Sequence, residues 1–432
     1  MRIGIWCDYG FTLEPRDGIG VFVDNLARGM VRADPDCQIV LMAHHGQKAV
    51  LSSTLAGGLN RISVVDGPLV PFFRRQLLSI LKKFRRRLRQ PTSDRHLAFW
   101  LDQWANRTSR RLDAPTQAAI ASVINSCDLW LLPYVGLDQQ FTKPTVVAIH
   151  DLVCYHFPEM MRPVKLAAFK ALVNRVSGQA TLAVCMSEFI RDNDLLGTLN
   201  LPADRVRVLT SSVPDDLGLE VAARNQRPRA LPESISGPYL FYPAGFRSYK
   251  NHRLLIEALH QLKQRSSTSW KLVFTGIASC PRELKHTIKQ LGLTDDVAIL
   301  RKVSRVELTE IYQNAFATIV PSLYEQGSFP ALEALHCKCP VAVSDILSLR
   351  QQLKTMGDSM LYFDPHSAEA LVSTIEKIER DRDSIIESQS LGFLSLQTHT
   401  WEKSAKGWLQ VFREALLLGN RIEDHARSVN AA

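Results

Sequence analysis

The stretch Pro321-Ser322-Leu323-Tyr324-Glu325-Gln326-Gly327-Ser328-Phe329-Pro330-Ala331-Leu332-Glu333-Ala334 holds the residue types that recognition of anions and hydroxyls requires. An apolar run ends, a glycine-containing loop follows, and a helix begins. Ser328 suits the N-cap of that helix, and Pro330 its first turn, where a missing N–H costs nothing. Backbone N–H groups at such a start, with the positive end of the helix dipole, form a cradle for phosphate. Glu325 and Glu333, eight positions apart, bracket the cradle. Carboxylates beside an anion repel it unless they serve as acceptors for sugar or ribose hydroxyls. A capped surface helix with incidental acids is the competing explanation. Lys250, next to a second helix start, could neutralise phosphate. His150 ends the apolar run Thr145 to Ile149, where a histidine can reach reacting atoms or merely satisfy a structural hydrogen bond.

These residues need a frame that brings them together. Short β-rich runs alternate with helical segments in both halves, which predicts parallel sheets with crossover helices. The first series of strands falls near Arg2 to Trp6, Gln38 to Met42, Asp128 to Leu132, Thr145 to Ile149, Thr181 to Cys185 and Val206 to Leu209. A helix spans about Gly20 to Arg32. The second series covers Tyr239 to Tyr242, Lys271 to Thr275, Val297 to Leu300, Ala317 to Val320 and Pro340 to Val343. Between the two, Pro214, Pro228, Pro232, Gly237 and Pro238 punctuate a stretch without apolar periodicity, which reads as a linker. The expected class is α/β, with two Rossmann-like domains facing a cleft. The expected divisions are 1–213, a linker 214–238, a second domain 239–400 and a terminal segment 401–432. In such sheets ligands sit beyond the C-terminal ends of the strands, where these candidates fall.

Composition excludes several classes. The chain has 432 residues, 46% of them hydrophobic and 22% charged, a balance that buries a core and excludes disorder. The apolar run Leu129 to Leu137 is far short of the roughly 20 residues that span a bilayer. Asp8 interrupts the N-terminal stretch where a secretion signal would need apolar residues. Eight cysteines are scattered through apolar segments without paired ligand spacing, as expected of reduced, mostly buried thiols. The expected location is therefore cytoplasmic, peripheral at the inner face of the membrane if the basic segment engages lipid. That segment, residues 71–90, carries eight cations (Arg74, Arg75, Lys82, Lys83, Arg85, Arg86, Arg87 and Arg89) and no acid, nearly the whole net charge of +9. Its Phe73, Leu77, Ile80, Leu81, Phe84 and Leu88 recur at helical spacing. The helix could dock on an anionic membrane surface through residues 72–89, or pack on the core with its cations in water. Trp100 and Trp104 fit either an interfacial or a core role. No nucleic-acid module accompanies the charge, so nucleic acid is not expected as a partner.

Taken in order, the motifs resemble the retaining GT-B glycosyltransferases, specifically glycosyltransferase family 4, over most of the chain. Glu325 to Glu333 resembles that family's E-x7-E motif, in the form EQGSFPALEA. Gly18-Ile19-Gly20 resembles its N-terminal glycine loop near the donor phosphates, His150-Asp151 its His-Asp element at the reaction centre, and Ser187-Glu188-Phe189 the opening of a late helix. Tyr242-Pro243-Ala244-Gly245-Phe246-Arg247-Ser248-Tyr249-Lys250-Asn251-His252 resembles the turn that holds the donor diphosphate. Thr400-Trp401-Glu402 and the helix Lys403 to Leu417 resemble the family's last helix, which returns to the first domain. Two positions depart from the pattern. Gly245 stands where many members have an arginine, with Arg247 as a substitute, and Arg301 replaces a usual glycine near the base. Asp192-Asn193-Asp194 and Asp381-Arg382-Asp383 mimic the D-x-D of metal-dependent GT-A enzymes, but both lie in helical segments where i and i+2 side chains diverge, so each reads as a solvated face.

The resemblance implies transfer of a sugar from a nucleotide diphosphate donor to a hydroxyl acceptor, with retention and without a metal or a tightly held cofactor. It implies His150, Asp151 and Glu325 at the reaction centre, and Gly18, Gly20, Arg247, Lys250, Gly327, Ser328, Phe329 and Glu333 around the donor. The motif variants look most like those of bacterial surface-polysaccharide mannosyltransferases, implying GDP-mannose or a UDP-sugar as co-substrate and a lipid-linked or polysaccharide glycan as acceptor. A nucleotide-sugar hydrolase or epimerase of the same fold, and a non-catalytic basic binding protein, are the rival readings.

Overall fold

A computed structural model of the chain describes residues 1–9, 12–13, 18–55, 60–67, 117–136, 139–210, 228–276, 279–301, 303–398 and 400–430. The basic segment 71–90, Trp100, Trp104, residues 211–213 and residues 214–227 of the expected linker lie outside the described residues.

Two sheets organise the described residues. The first has seven strands, β1 (Arg2–Trp6), β2 (Gln38–Ala43), β3 (Ile62–Asp66), β4 (Leu129–Leu132), β5 (Thr145–Ala148), β6 (Leu182–Cys185) and β7 (Val206–Val208), in the order β3-β2-β1-β4-β5-β6-β7. The second has six, β8 (Tyr239–Pro243), β9 (Lys271–Thr275), β10 (Val297–Leu300), β11 (Ala317–Val320), β12 (Val341–Ser344) and β13 (Leu361–Phe363), in the order β10-β9-β8-β11-β12-β13. Every pair in the second sheet is parallel. The central strands are unbroken apolar runs such as LWLL and ATIV, buried throughout, as parallel strands covered on both faces must be. In β1, Gly4 is required by packing: a Cβ there would meet the Trp130 ring of the neighbouring β4 at 2.4 Å. Edge strands β3 and β13, short and less uniformly buried, escaped the sequence pattern.

The described residues group into two compact units. Met1–Ala148, Arg175–Ala183 and Ala405–Ala432 form the first; Ile149–Asn174 and Val184–Ser404 form the second. In the first unit the C-terminal helix Trp401–Asn430 packs Trp408 against Phe22, ring centroids 5.6 Å apart. In the second, one core of aliphatic and aromatic residues surrounds β8, β9, β11 and β12, and Leu231 and Ile235 of the Pro-rich stretch are buried in it. The strand order of the second sheet reverses between β8 and β11. At such a switch point the loops leaving the two strands diverge to opposite faces and open a crevice. Those loops carry Lys250 and Glu325.

Among the described residues no helix is long and apolar enough to cross a membrane. Of the eight cysteines, all free, seven are buried and Cys154 is half-buried.

Candidate active site

Chain leaving β8 runs through a 3-10 turn, Ser248–Lys250, to the helix His252–Arg265. Asn251, between them, has φ 54°, a left-handed conformation that asparagine tolerates better than most residues. His252 holds the turn from beneath. Its Nε2 lies 3.1 Å from the carbonyl of Ala244, its ring packs on Tyr242, Phe246 and Phe274, and burial pushes its pKa down to about 4. This imidazole is neutral and structural.

Lys250 emerges from that turn and pairs with the carboxylate of Glu325, which leaves β11. The side chains keep 18% and 8% of their exposure, so the pair is largely out of water. Burial opposes the charge on Lys250, but the adjacent Glu325 more than offsets it and raises the lysine pKa. Arg247, three residues earlier, is exposed; its carbonyl accepts the Lys250 N–H at 3.0 Å, while its guanidinium makes no hydrogen bond or ion pair with the described residues. Asp151 belongs to the same compact unit. Its Oδ1 accepts the Val153 N–H at 3.1 Å. Burial first, then the charges of Glu325 and Asp194, raise its pKa; the Val153 N–H and Lys250 act in the opposite direction. His150, half-buried, directly precedes it after β5. Lys250, Glu325 and Asp151 thus share one electrostatic neighbourhood.

The helix Phe329–His336 begins as its sequence indicates. Ser328 is the N-cap, its Oγ accepting the Ala331 N–H at 3.3 Å, with Pro330 in the first turn. The Ser328 N–H, one of the amides expected to face phosphate, donates to Gln352 Oε1 at 2.7 Å. A Cβ on Gly327 would meet the Gln352 side chain at 3.1 Å, so glutamine covers the cradle. Beside it lies a cavity of about 270 Å³ lined by Gly327, Phe329, Gln351, Gln352 and Gln326, whose buried Oε1 has no hydrogen-bond partner among the described residues. Glu333, one turn inside the helix, is 9% exposed. Arg305 Nη1 donates to its Oε1 at 2.9 Å and the Tyr312 hydroxyl to its Oε2 at 2.8 Å. A carboxylate has about four lone-pair sites, so these bonds orient Glu333 without exhausting it.

Two sequence readings need correction. Gly18 is not in a loop: the helix expected from about Gly20 begins at Gly18, so both glycines occupy the first turn of Gly18–Ala33, in the first unit, without a left-handed φ. Asp194 is not on a solvated face. It is fully buried in a π-helical turn, Ile190–Leu196, where it faces inward, while Asp192 is exposed and pairs with Arg191. Asp381 and Asp383 are exposed, as expected. Among the described residues no group of His, Cys, Asp and Glu is arranged to hold a metal ion. Arg305, Tyr312, Gln352, Asp194 and Tyr324 were not found as site residues in the sequence. Each acts through a contact with a residue distant in the chain, and no local pattern marks it.

The fold and site together define the class: an α/β protein of GT-B type whose second sheet carries Lys250 and Glu325 on the two loops that leave its switch point. The crystal structure of Anabaena HepE in complex with UDP and glucose has the same fold, with TM-score 0.65 at 15% identity, covering 96% of this chain and 100% of that one. Residues 224–390, which include Lys250, Glu325 and Glu333, match the family model for glycosyl transferases group 1. Two curated relatives are an O-antigen chain mannosyltransferase B of Escherichia coli, 22% identical over 62% of this chain and 70% of that protein, and the O-antigen chain mannosyltransferase RfbU of Salmonella typhimurium, 23% identical over 55% of this chain and 62% of that protein.

Proposed function

We propose that the chain is a retaining, family 4 hexosyltransferase that moves mannose from GDP-mannose to a hydroxyl of a lipid-linked or polysaccharide glycan. The observation that carries this reading is the Lys250–Glu325 pair where the strand order reverses, with Asp151 alongside and a helix N-terminus in the next turn of chain. Mannose is supported by the names of the two relatives, and a UDP-sugar is the alternative that HepE suggests.

In this mechanism the departing diphosphate carries the charge to be stabilised. Lys250 and the exposed Arg247 supply cations, and amides at Gly327, Ser328 and Phe329 supply donors once Gln352 withdraws. In a water-poor crevice such prearranged groups are worth several kcal/mol. Glu333, oriented by Arg305 and Tyr312, accepts from the ribose hydroxyls. When the ammonium shifts to phosphate, Glu325 is released to grip the sugar hydroxyls, and the cavity beside Gly327 and Phe329 gives the sugar room. His150 and Asp151 orient the ring at the anomeric carbon. The bond from that carbon to the phosphate oxygen breaks, the bond to the acceptor oxygen forms on the same face, and the acceptor proton passes to the departing phosphate. Neither a protein nucleophile nor a metal takes part. The work would take place on the cytoplasmic side, at the membrane where the acceptor is lipid-linked.

A ligand that binds only the folded chain stabilises it by about 2.7 kcal/mol at a hundredfold excess over Kd. GDP-mannose should therefore raise the melting temperature, UDP-glucose should do so less, and Glu333→Ala should abolish the shift and the transfer. Donor turnover equal with and without acceptor, or an unimpaired Glu333→Ala enzyme, would refute the reading.

A further inference from the structure

Among the described residues, Asp194 is the most buried carboxylate of the second unit, at 0% exposure, and no described lysine or arginine pairs with it. Four donors stand in for a cation. Its Oδ2 accepts the Leu152 N–H at 2.9 Å and the Tyr324 hydroxyl; its Oδ1 lies 2.8 Å from His156 Nε2 and accepts from Asn193 Nδ2 at 2.8 Å. A buried charge survives only when hydrogen-bonded this fully. Tyr324 is in turn fixed by its ring, which packs on His156, Phe157 and Phe189 at centroid distances of 5.0, 6.4 and 5.8 Å, and its oxygen also accepts the Leu152 N–H at 3.4 Å.

The partners matter for where they sit. Leu152 follows Asp151 directly, and Tyr324 directly precedes Glu325. The bonds therefore tie the loop after β5 and the loop after β11 to one carboxylate on the π-helical turn after β6.

We propose that Asp194 and Tyr324 are a positioning pair for the transfer reaction: they fix the separation of Asp151 and Glu325 around Lys250 by clamping the residue next to each. This rests on the function proposed above. Neither side chain touches donor or acceptor; both act through the backbone they hold. On the π-helical turn Asp194 faces inward while Asp192 stays exposed, which is why a surface D-x-D reading fails there.

Tyr324→Phe removes the hydroxyl from Asp194 and Leu152 but keeps the packed ring, and Asp194→Asn keeps the shape but loses the charge and one acceptor. We expect both variants to bind GDP-mannose within about twofold of the parent, because Lys250 and Glu333 are untouched, while kcat falls at least tenfold. Amide exchange at Leu152, followed by hydrogen–deuterium mass spectrometry of the full chain, should quicken, with the distant helix Ala368–Gln397 unaffected. A Tyr324→Phe enzyme with parental kcat, or one whose loss lies wholly in donor binding, overturns the proposal. A parent chain that turns over no nucleotide sugar would overturn the proposed function instead. In that case the exchange comparison alone decides the clamp, and equal Leu152 exchange in all three proteins rejects it.

Discussion

Replacing Lys250 with methionine separates the two roles of its ammonium, as partner of Glu325 and as counter-charge for the donor. In the free protein the substitution strands a carboxylate that keeps 8% of its side-chain exposure. Breaking a fully buried pair from one side costs about 3–5 kcal/mol; since Lys250 retains 18% exposure and water can partly replace it, about 3 kcal/mol is expected here. The unit concerned has about 250 residues, for which each kcal/mol moves the midpoint by about 2–4 °C, so the unfolding of that unit should shift down by roughly 6–12 °C. Adding Glu325→Gln removes the stranded charge, and the double variant should recover most of the loss. The coupling between the two positions, read from the four midpoints, should be about 2 kcal/mol. Stabilisation by GDP-mannose should disappear in Lys250→Met and stay absent in the recovered double variant, since restored packing does not restore a counter-charge. Strictly additive midpoints would show that the pair contributes nothing, and a Lys250→Met protein still stabilised by the donor would refute the assignment of the ammonium to phosphate.

Asp151 should show a cost of function as a pH dependence. Its pKa is raised in the folded chain, by burial first and then by Glu325 and Asp194. The folded state therefore holds the proton more tightly than the unfolded one, so the group destabilises the fold as pH rises from the unfolded carboxylate value, about 3.9, through the folded one. Asp151→Asn keeps an acceptor for the Val153 N–H and cannot ionise. It should raise the melting temperature at neutral pH, leave it unchanged well below the unfolded value, and slow transfer; a variant destabilised at neutral pH would contradict the sign. Gln352→Ala frees the Ser328 N–H from its 2.7 Å bond. A neutral hydrogen bond is worth about 0.5–1.5 kcal/mol net, so donor affinity should rise by about 2- to 12-fold in calorimetric titration, whereas weaker binding would mean that glutamine helps hold the donor.

Much of this was legible in the chain. The strands β9 (Lys271–Thr275) and β11 (Ala317–Val320) have the bounds their apolar runs suggest, because a strand buried on both faces has little room for polar residues; the half-buried edge strand β10 (Val297–Leu300) is marked by its apolar run alone. The cap at Ser328 was equally visible, since capping is a contact between residues three apart. Gly18 misled because a glycine after a strand suits a loop and a helix start alike. Asp194 misled because i and i+2 side chains diverge, so with Asp192 exposed Asp194 faces the interior, and the buried partners that receive it there lie far away in the chain.

The sequence by itself determined the alternation of strands and helices, the capped helix start and the residue types able to meet a phosphate and a hydroxyl, because all of these depend on neighbours within a turn or two. Tertiary structure alone decided that Lys250 pairs with Glu325 across 75 residues, that Arg305 and Tyr312 aim Glu333, that Gln352 covers the cradle, and that Asp194 grips Leu152 and Tyr324. Each of those contacts depends on strand order, which loop follows which strand at the switch point, and local propensity carries no record of that order.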